Sequence, residues 1–321
     1  MTGLPAFVAA VALGATTVSA PVSYVTRCGP SFCREGRVVR LFGASVLSAP
    51  SDPLPVLRSA QAAGLNTVRV TDFLSSSPYD ELAWRRVDHT IAVAASLRLA
   101  VVLDLSTYRN LLARSGLNPY LVDWAAFLRF VTARRNTVSG LRYRDDPALA
   151  LVSLAGEVEP PNGRPNPLGV TGAAVTAFFR RTLAQWHALD SHHLVSTGGL
   201  LQLDWDSGID WPTIMALPGN DVCAVHLYSD GDRRIASSVA AYCAARGKPF
   251  LVEEFGFPAS LGDRVRARAF AATYRLAASW HAAGVAFWNL GPERGPGTYD
   301  VNPASVRTWQ VVRAYEPSWT S

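Results

Sequence analysis

The sequence predicts an α/β fold, a single (β/α)₈ or TIM barrel preceded by a short N-terminal β-hairpin. Eight short apolar runs recur along the 321-residue chain, and segments with apolar residues at helical spacing lie between most of them. Strands that are apolar along their whole length need helices on their outer face, and eight such alternations can close a barrel. The main competing fold, an open doubly wound sheet, lacks support because no glycine-rich phosphate loop follows the first strand.

The predicted elements follow one another in a regular order. Residues 22–40 form the hairpin, which we expect to plug the bottom of the barrel. The predicted strands are 38–43, 67–71, 100–105, 149–155, 193–196, 222–225, 250–252 and 285–288. The predicted helices are 53–63, 81–97, 121–136, 172–189, 235–246, 264–283 and 305–314. No internal repeat or second domain interrupts this order, so we expect residues 21–321 to form one catalytic domain.

Composition and charge exclude several classes of partner. The net charge of +5 comes from arginines scattered over many segments, and Lys248 is the only lysine. No cluster of basic and aromatic residues suggests nucleic-acid binding. After the N-terminus, no segment offers about twenty uninterrupted apolar residues, so no membrane span is expected. We expect a monomer.

The N-terminus indicates export. Residues 4–18 are apolar, and Val18-Ser19-Ala20 fits the pattern that signal peptidase cleaves. We therefore expect residues 1–20 to be a signal peptide and the protein to be secreted. The segment lacks a basic residue before the apolar run, and a buried first helix is the alternative.

The four cysteines agree with an oxidising destination. Cys28 and Cys33 flank a turn sequence that would bring them into bridging range. Cys223 and Cys243 either form a second bridge or remain buried thiols. No Cys or His spacing suggests zinc, so no metal or cofactor is expected.

Two predicted strands run directly into carboxylates. The seventh ends at Glu253 and Glu254, and the fourth is followed by Glu157 and Glu159. In a barrel of this kind the carboxyl ends of the strands build the active site, where two carboxylates can act as acid and nucleophile. Periodicity does not choose between Glu157 and Glu159, which share a face. By strand parity Glu253 faces the helices or the flank of the pocket and is structural.

Other side chains fall at the same barrel end. Arg69 lies in the second predicted strand, where only a carboxylate partner makes a guanidinium tolerable; the alternative is an arginine that leaves the barrel for solvent. His226 and Tyr228 alternate onto one face of the sixth strand, and together they can donate hydrogen bonds to a carboxylate. Trp288 ends the eighth strand and offers an apolar floor for a sugar, although tryptophan is more often a core residue. Aromatic residues in the loops after strands five and eight extend this platform: Trp205, Trp211 and Tyr299.

Taken together, these segments resemble glycoside hydrolase family 5, the retaining cellulase and β-mannanase-like enzymes with two catalytic glutamates, and the β-mannanase branch most closely. The matching segments are 41–43, 64–70, 193–198, 225–228, 248–256 and 287–288. The resemblance implies that Glu254 is the nucleophile and Glu157 the acid/base. It also implies that Arg69, His226 and Tyr228 orient Glu254 and that Trp288 forms the floor at the cleavage point.

The chain departs from the family pattern at three places. Gly156-Glu157-Val158 stands where the family has Asn-Glu-Pro, Ser106 follows strand three without the usual histidine, and Ser45 replaces a frequent asparagine. The resemblance implies an exported retaining hydrolase of β-linked glycans, either β-mannan or β-glucan, whose partner is a polysaccharide or oligosaccharide substrate. Two alternatives stay open, a catalytically weakened carbohydrate-binding protein on the same barrel and a transglycosylase.

Overall fold

A computed structural model describes residues 23–158, 165–200, 208–292 and 294–320. A small antiparallel sheet comes first and consists of β1 (Thr26–Cys28), β2 (Ser31–Arg34) and β3 (Arg37–Val39). The larger sheet has eight strands, β4 (Leu41–Leu47), β5 (Thr67–Thr71), β6 (Ala100–Asp104), β7 (Leu149–Ser153), β8 (Leu194–Ser196), β9 (Cys223–Leu227), β10 (Phe250–Phe255) and β11 (Gly284–Phe287). The helices are α1 (Leu54–Ala62), α2 (Glu81–Ser96), α3 (Ser106–Arg114), α4 (Ala125–Ala133), α5 (Gly172–Leu189), α6 (Trp211–Ala216), α7 (Asp230–Ala244), α8 (Asp263–Ser279) and α9 (Val306–Thr320).

The eight strands of the larger sheet are parallel, and the sheet closes into a barrel. Its order is β8-β7-β6-β5-β4-β11-β10-β9, so β8 and β9 lie at the two ends. Backbone hydrogen bonds join those ends: the Asp221 N–H donates to Val195 at 2.9 Å, and the His226 N–H donates to Leu200 at 3.1 Å. The predicted (β/α)₈ barrel is confirmed.

The small antiparallel sheet covers the amino end of the barrel. Its buried Val25 and Phe32 pack in one cluster with apolar residues from the amino ends of the barrel strands, among them Leu41, Ala100 and Leu251. Burial of this apolar surface stabilises the closed bottom by the hydrophobic effect. The predicted hairpin is confirmed, and β3 adds a third strand to it.

Some element boundaries differ from the predictions and bear on the site. β9 extends to Leu227 and β10 to Phe255, so His226 and both glutamates after Val252 lie within strands. α3 was not predicted, and it begins two residues after β6. Its mean hydropathy is low, so it lacks the apolar character by which the other helices were recognised in the sequence.

Both cysteine pairs are disulfides. Cys28 and Cys33 are joined at the turn between β1 and β2, with Cα atoms 5.9 Å apart. Cys223 of β9 is joined to Cys243 of α7, with Cα atoms 6.4 Å apart. The open question between a second bridge and buried thiols is therefore answered in favour of the bridge.

Lys248 lies in the buried turn between α7 and β10. Its Nζ donates hydrogen bonds of 2.7 Å to the carbonyls of Met215 and Leu217, at the end of α6. Burial lowers the pKa of this ammonium group to about 8. Two helix-end carbonyls thus take the place of water around the only lysine.

The helices of the described ranges include no membrane-spanning candidate, because none combines sufficient length with sufficient apolar character. The segment expected to be a signal peptide lies outside the described residues.

Candidate active site

A cavity of about 390 Å³ opens at the carboxyl ends of the barrel strands. Six of the strands contribute to it, either with their own residues or with the segments that follow them. The lining residues are Arg69, Thr71, Asp72, Ser106, Arg109, Asn110, Glu157, His226, Tyr228, Glu254, Trp288 and Tyr299. The structure thus brings together seven of the nine residues selected from the sequence.

Glu254 is the buried carboxylate at the base of this cavity. Its Oε1 forms an ion pair with Nη1 of Arg69, and its Oε2 accepts a 2.7 Å hydrogen bond from Tyr228 Oη. Nδ1 of His226 lies 3.5 Å from the same Oε2. Burial raises the pKa of Glu254, and the charges of His226 and Arg69 oppose that rise. Both oxygens are therefore fixed in place by donors.

Arg69 is buried inside the barrel and does not leave it for solvent. Its Nη2 lies 2.5 Å from Asp104 Oδ2, and its Nη1 also donates to Ser45 Oγ at 3.2 Å. Burial alone would lower the pKa of Arg69, but Asp104, Glu254 and Glu253 raise it, so the guanidinium stays charged. The alternative of a solvent-facing arginine is wrong, because three carboxylates surround this one.

Glu157 stands on the opposite side of the cavity, just after β7. Its Oε1 accepts a 2.8 Å hydrogen bond from His226 Nδ1, and 38% of its side chain is exposed. Burial raises the pKa of Glu157, but the hydrogen bond and charge of His226 outweigh burial and hold that pKa below its usual range. One carboxyl oxygen of Glu157 and one of Glu254 lie within 4.8 Å of each other.

Glu253 faces the barrel interior beside His226, so of its two expected positions, against the helices or at the flank of the pocket, the first is wrong. The register between β9 and β10 shifts between Val252 and Glu254, which marks a β-bulge. A bulge interrupts the alternation of side chains, and both glutamates therefore point inward. Glu253 accepts hydrogen bonds from Ser153 Oγ, from the Gly199 N–H at 2.7 Å and from His226 Nε2 at 3.2 Å.

Glu157, His226 and Glu254 have the residue types that could coordinate a cation, since their ligand atoms lie within 4.8 Å of one another. The charge that a cation would supply is already present in Arg69. Both ring nitrogens of His226 also face carboxylate oxygens and are engaged in hydrogen bonds. The donor set is thus better suited to binding protons than to binding a resident metal.

The aromatic candidates divide into two groups. Trp288 and Tyr299 line the cavity, and the Tyr299 ring meets Tyr228 edge-on with centroids 5.8 Å apart. Trp211 begins α6 and packs edge-on against Tyr242 at 5.3 Å, away from the cavity. Trp205, like Glu159, lies outside the described residues.

Sequence reasoning missed one wall of the cavity. Asp72 follows β5, and Ser106, Arg109 and Asn110 come from α3. It also missed the buried partner of Arg69, Asp104, which ends β6. The rule that drew attention to Glu254, a carboxylate at the end of an apolar strand, applies equally to Asp104 and would have found it.

No protein-family model matches the chain. Mannan endo-1,4-beta-mannosidase F of Aspergillus clavatus is 26% identical over 201 residues, which cover 54% of this chain and 44% of that protein. Mannan endo-1,4-beta-mannosidase 8 of Oryza sativa subsp. japonica is 24% identical over 319 residues, which cover 78% of this chain and 84% of that protein.

Two solved structures share the fold. The endo-1,4-beta-mannanase of Rhizomucor miehei superposes with a TM-score of 0.77 at 20% identity, over 92% of this chain and 100% of that one. A glycoside hydrolase family 5 mannosidase from the same organism superposes with a TM-score of 0.69 at 17% identity, over 93% of this chain and 98% of that one.

The chain is similar in sequence to mannan endo-1,4-beta-mannosidases and shares the fold of a glycoside hydrolase family 5 mannosidase. The resemblance inferred from its strand ends is confirmed by these similarities. The barrel presents its cavity at the carboxyl ends of the strands, where enzymes of this architecture carry their active sites.

Proposed function

We propose that the protein is an exported retaining hydrolase of β-mannan, with Glu254 as nucleophile and Glu157 as acid/base. One observation carries the proposal: carboxyl oxygens of these two residues lie within 4.8 Å of each other across one cavity. Retaining glycosidases hold their two carboxyl groups about 5 to 5.5 Å apart, whereas inverting enzymes need about 6.5 to 9.5 Å to admit a water. The separation supports a double displacement.

In the first step, a carboxylate oxygen of Glu254 attacks the anomeric carbon while Glu157 protonates the departing glycosidic oxygen. The Glu254–carbon bond forms as the carbon–oxygen bond breaks, which leaves a covalent glycosyl-enzyme. In the second step, Glu157 removes a proton from water, and that water displaces Glu254. Arg69 and Tyr228 hold Glu254 in place through both steps.

The first step requires a proton on Glu157 and an ionised Glu254. In the free protein the shifts run the other way, with the pKa of Glu157 held low by His226 and the pKa of Glu254 raised by burial. The two carboxyl groups interact and titrate as a pair. Which of them carries the proton therefore depends on whether a substrate lies between them. A bound sugar that develops positive charge at its anomeric carbon favours the anion of Glu254 and leaves the shared proton to Glu157.

The substrate class is proposed from the curated relatives, which are mannan endo-1,4-beta-mannosidases by name. The ring of Trp288 in the cavity suits the apolar C–H face of a sugar. Export is supported by the two disulfides, since such bonds persist in oxidising compartments.

One observation favours a second candidate, a barrel that binds glycans with little turnover. Gly156 precedes Glu157 where the family has an asparagine, and its Cβ-free backbone, at φ +56°, lies against Ser106. Hydrogen bonds to the substrate 2-hydroxyl strengthen in the transition state and contribute several kcal/mol. Without the amide, this contribution has to come from another group.

The test is turnover of β-mannan, β-glucan and aryl glycosides, with the anomeric configuration of the first product read by NMR. We expect a retained configuration on mannan and losses on the order of 100- to 10,000-fold in Glu157→Gln and Glu254→Gln. Glu159→Gln is the matched control and should keep wild-type activity. Mannan binding without turnover would favour the second candidate, whereas an inverted product would overturn the double displacement. Products longer than the substrate would indicate transglycosylation.

A further inference from the structure

His226 is clamped between two carboxylates from opposite sides of its ring. Nδ1 lies 2.8 Å from Glu157 Oε1, and Nε2 lies 3.2 Å from Glu253 Oε2. The imidazole is 1% exposed. An ionised carboxylate only accepts hydrogen bonds, so a ring that satisfies both contacts has to carry a proton on each nitrogen.

Glu253 is built to stay ionised. Ser153 Oγ, the Gly199 N–H and His226 all donate to it, and Arg69 Nε lies 3.9 Å from its Oε1. Burial raises the pKa of Glu253, but the charge of Arg69 and the hydrogen bonds lower it to about 2. Because Glu253 is 1% exposed, these protein donors, rather than water, stabilise its negative charge.

The groups around His226 favour its cationic form. Glu157 faces the ring from the end of β7, and Glu253 and Glu254 face it from β10. Arg69 of β5 is the opposing positive charge, and Tyr228, which follows β9, is neutral. Although burial lowers the pKa of His226, the three carboxylates raise it to about 10.

Glu157 depends on this imidazole. Within the described part of the chain, His226 is the one side chain that hydrogen-bonds the Glu157 carboxyl group. Arg109 donates to the backbone carbonyl of Glu157, and the charges of Arg109 and Arg69 lower the pKa of Glu157 less than His226 does. A group that determines the charge of His226 therefore also affects the proton affinity of Glu157.

We propose that Glu253 is a positioning residue that holds His226 as an imidazolium and thereby tunes the proton affinity of Glu157. It acts through His226 and touches neither the cavity nor the reacting atoms. The effect of Glu253 on the pH dependence of activity rests on the proposed acid/base role of Glu157. The effect of Glu253 on the charge of His226 does not rest on that role.

The first measurement uses the wild-type protein. Nitrogen-15 NMR of the imidazole groups, with His226 assigned by its absence in His226→Gln, reports whether both ring nitrogens carry protons. We expect an imidazolium that persists to pH 9, well above the ordinary midpoint of about 6.5. A His226 that titrates near that ordinary midpoint would overturn the proposal whether or not the protein hydrolyses mannan.

The second measurement compares Glu253→Gln with Ser153→Ala, which removes a neutral partner of the same carboxylate. In Glu253→Gln we expect the His226 midpoint to fall from about 10 to about 6.5 or below, so that the ring is neutral over part of the range in which Glu157 titrates, and in Ser153→Ala to fall by less than about half a unit. Without the neighbouring cation Glu157 binds its proton more tightly. The alkaline limb of kcat/KM, which reports loss of that proton, should then move about one unit to higher pH in Glu253→Gln. Equal shifts in the two variants would overturn the proposal.

Glu157→Gln provides a variant that leaves Glu253 untouched and is informative even if Glu253→Gln does not fold. Because Glu253 remains, His226 should still be an imidazolium at pH 8. A return of its midpoint to about 6.5 would assign the charge to Glu157 and overturn the role of Glu253.

Discussion

Tyr228 Oη lies 2.7 Å from Oε2 of Glu254 and donates a hydrogen bond to it, while Arg69 binds the other oxygen of the same carboxyl group. Tyr228 directly follows β9, the neighbour of β10 on one side, whereas Arg69 lies in β5, three strands away on the other side. They therefore fix the plane of the carboxylate as well as its charge. An oxygen aimed in this way can attack without first reorienting.

Tyr228→Phe should lower kcat about 10- to 100-fold with a small change in KM, since a hydrogen bond to a charged group contributes about 1.5 to 3 kcal/mol. The bond from Tyr228 lowers the pKa of Glu254, so its loss should move the acidic limb of the pH profile to higher pH. Steady-state kinetics across pH measures both effects. Tyr242→Phe is the control, because Tyr242 Oη donates to the Pro212 carbonyl outside the cavity. A similar loss in both variants would contradict the assignment.

Arg69→Met should lower the free energy of unfolding by about 3 to 5 kcal/mol, because it leaves Asp104 and Glu254 buried without their cation. Arg69→Lys should recover only part of that loss, since a single ammonium group cannot reproduce the fork that binds two carboxylates. Denaturant unfolding of both variants tests this order. Arg85→Lys, at an exposed pair with Glu81, should stay within about 0.5 kcal/mol of wild type. A wild-type free energy of unfolding in Arg69→Lys would show that a positive charge is sufficient to stabilise the two carboxylates without the guanidinium geometry.

Trp288→Ala should reduce kcat/KM on mannan about 10- to 100-fold, because the ring lines the cavity where a sugar face would pack. Trp211→Ala is matched in chemistry but lies against Tyr242, and it should change kcat/KM by less than about twofold. The comparison separates tryptophans that bind substrate from those that only pack. Equal effects on kcat/KM would place the substrate path elsewhere.

Removal of the Cys223–Cys243 disulfide should cost about 3 kcal/mol, since it closes a loop of 20 residues between β9 and α7. The Cys28–Cys33 disulfide closes only 5 residues, and its removal should cost about 2 kcal/mol. Thermal unfolding of the two double alanine variants measures the difference. Because β9 carries His226 and leads into Tyr228, activity at elevated temperature should also fall earlier in the Cys223 and Cys243 variant. A larger loss of stability on removing Cys28–Cys33 would contradict the expectation that the disulfide closing the longer loop stabilises more.

The barrel and most of its site could be predicted because they follow from local rules. Apolar runs marked the strands, and period-two alternation brought His226 and Tyr228 to one face. A strand-end carboxylate pointed to Glu254, and an arginine among apolar neighbours pointed to Arg69. Each of these signals lies within a few residues of the group that it identifies.

The remaining features depend on contacts that are distant in sequence. Glu253 turns inward because of a bulge between β9 and β10, and no pattern in β10 alone encodes that shift. Glu253 also needs Ser153 and Gly199 as partners, which lie about 100 and 54 residues away. Trp211 could not be separated from Trp288 for a related reason, since only the packing partner distinguishes them. Long-range packing, rather than propensity, decides these positions.

The burial of Lys248 has a consequence for the outer charge of the protein. Ordinary proteins shed positive charge as their surface amines titrate near pH 10.4, but here the only lysine is held inside by Met215 and Leu217. The cationic groups that meet solvent are guanidiniums, which keep their protons beyond pH 12. Electrophoretic mobility should therefore fall in alkaline buffer first as Lys248 loses its single charge near pH 8 and then as the tyrosines ionise, and amine-directed reagents should leave Lys248 of the folded barrel uncoupled.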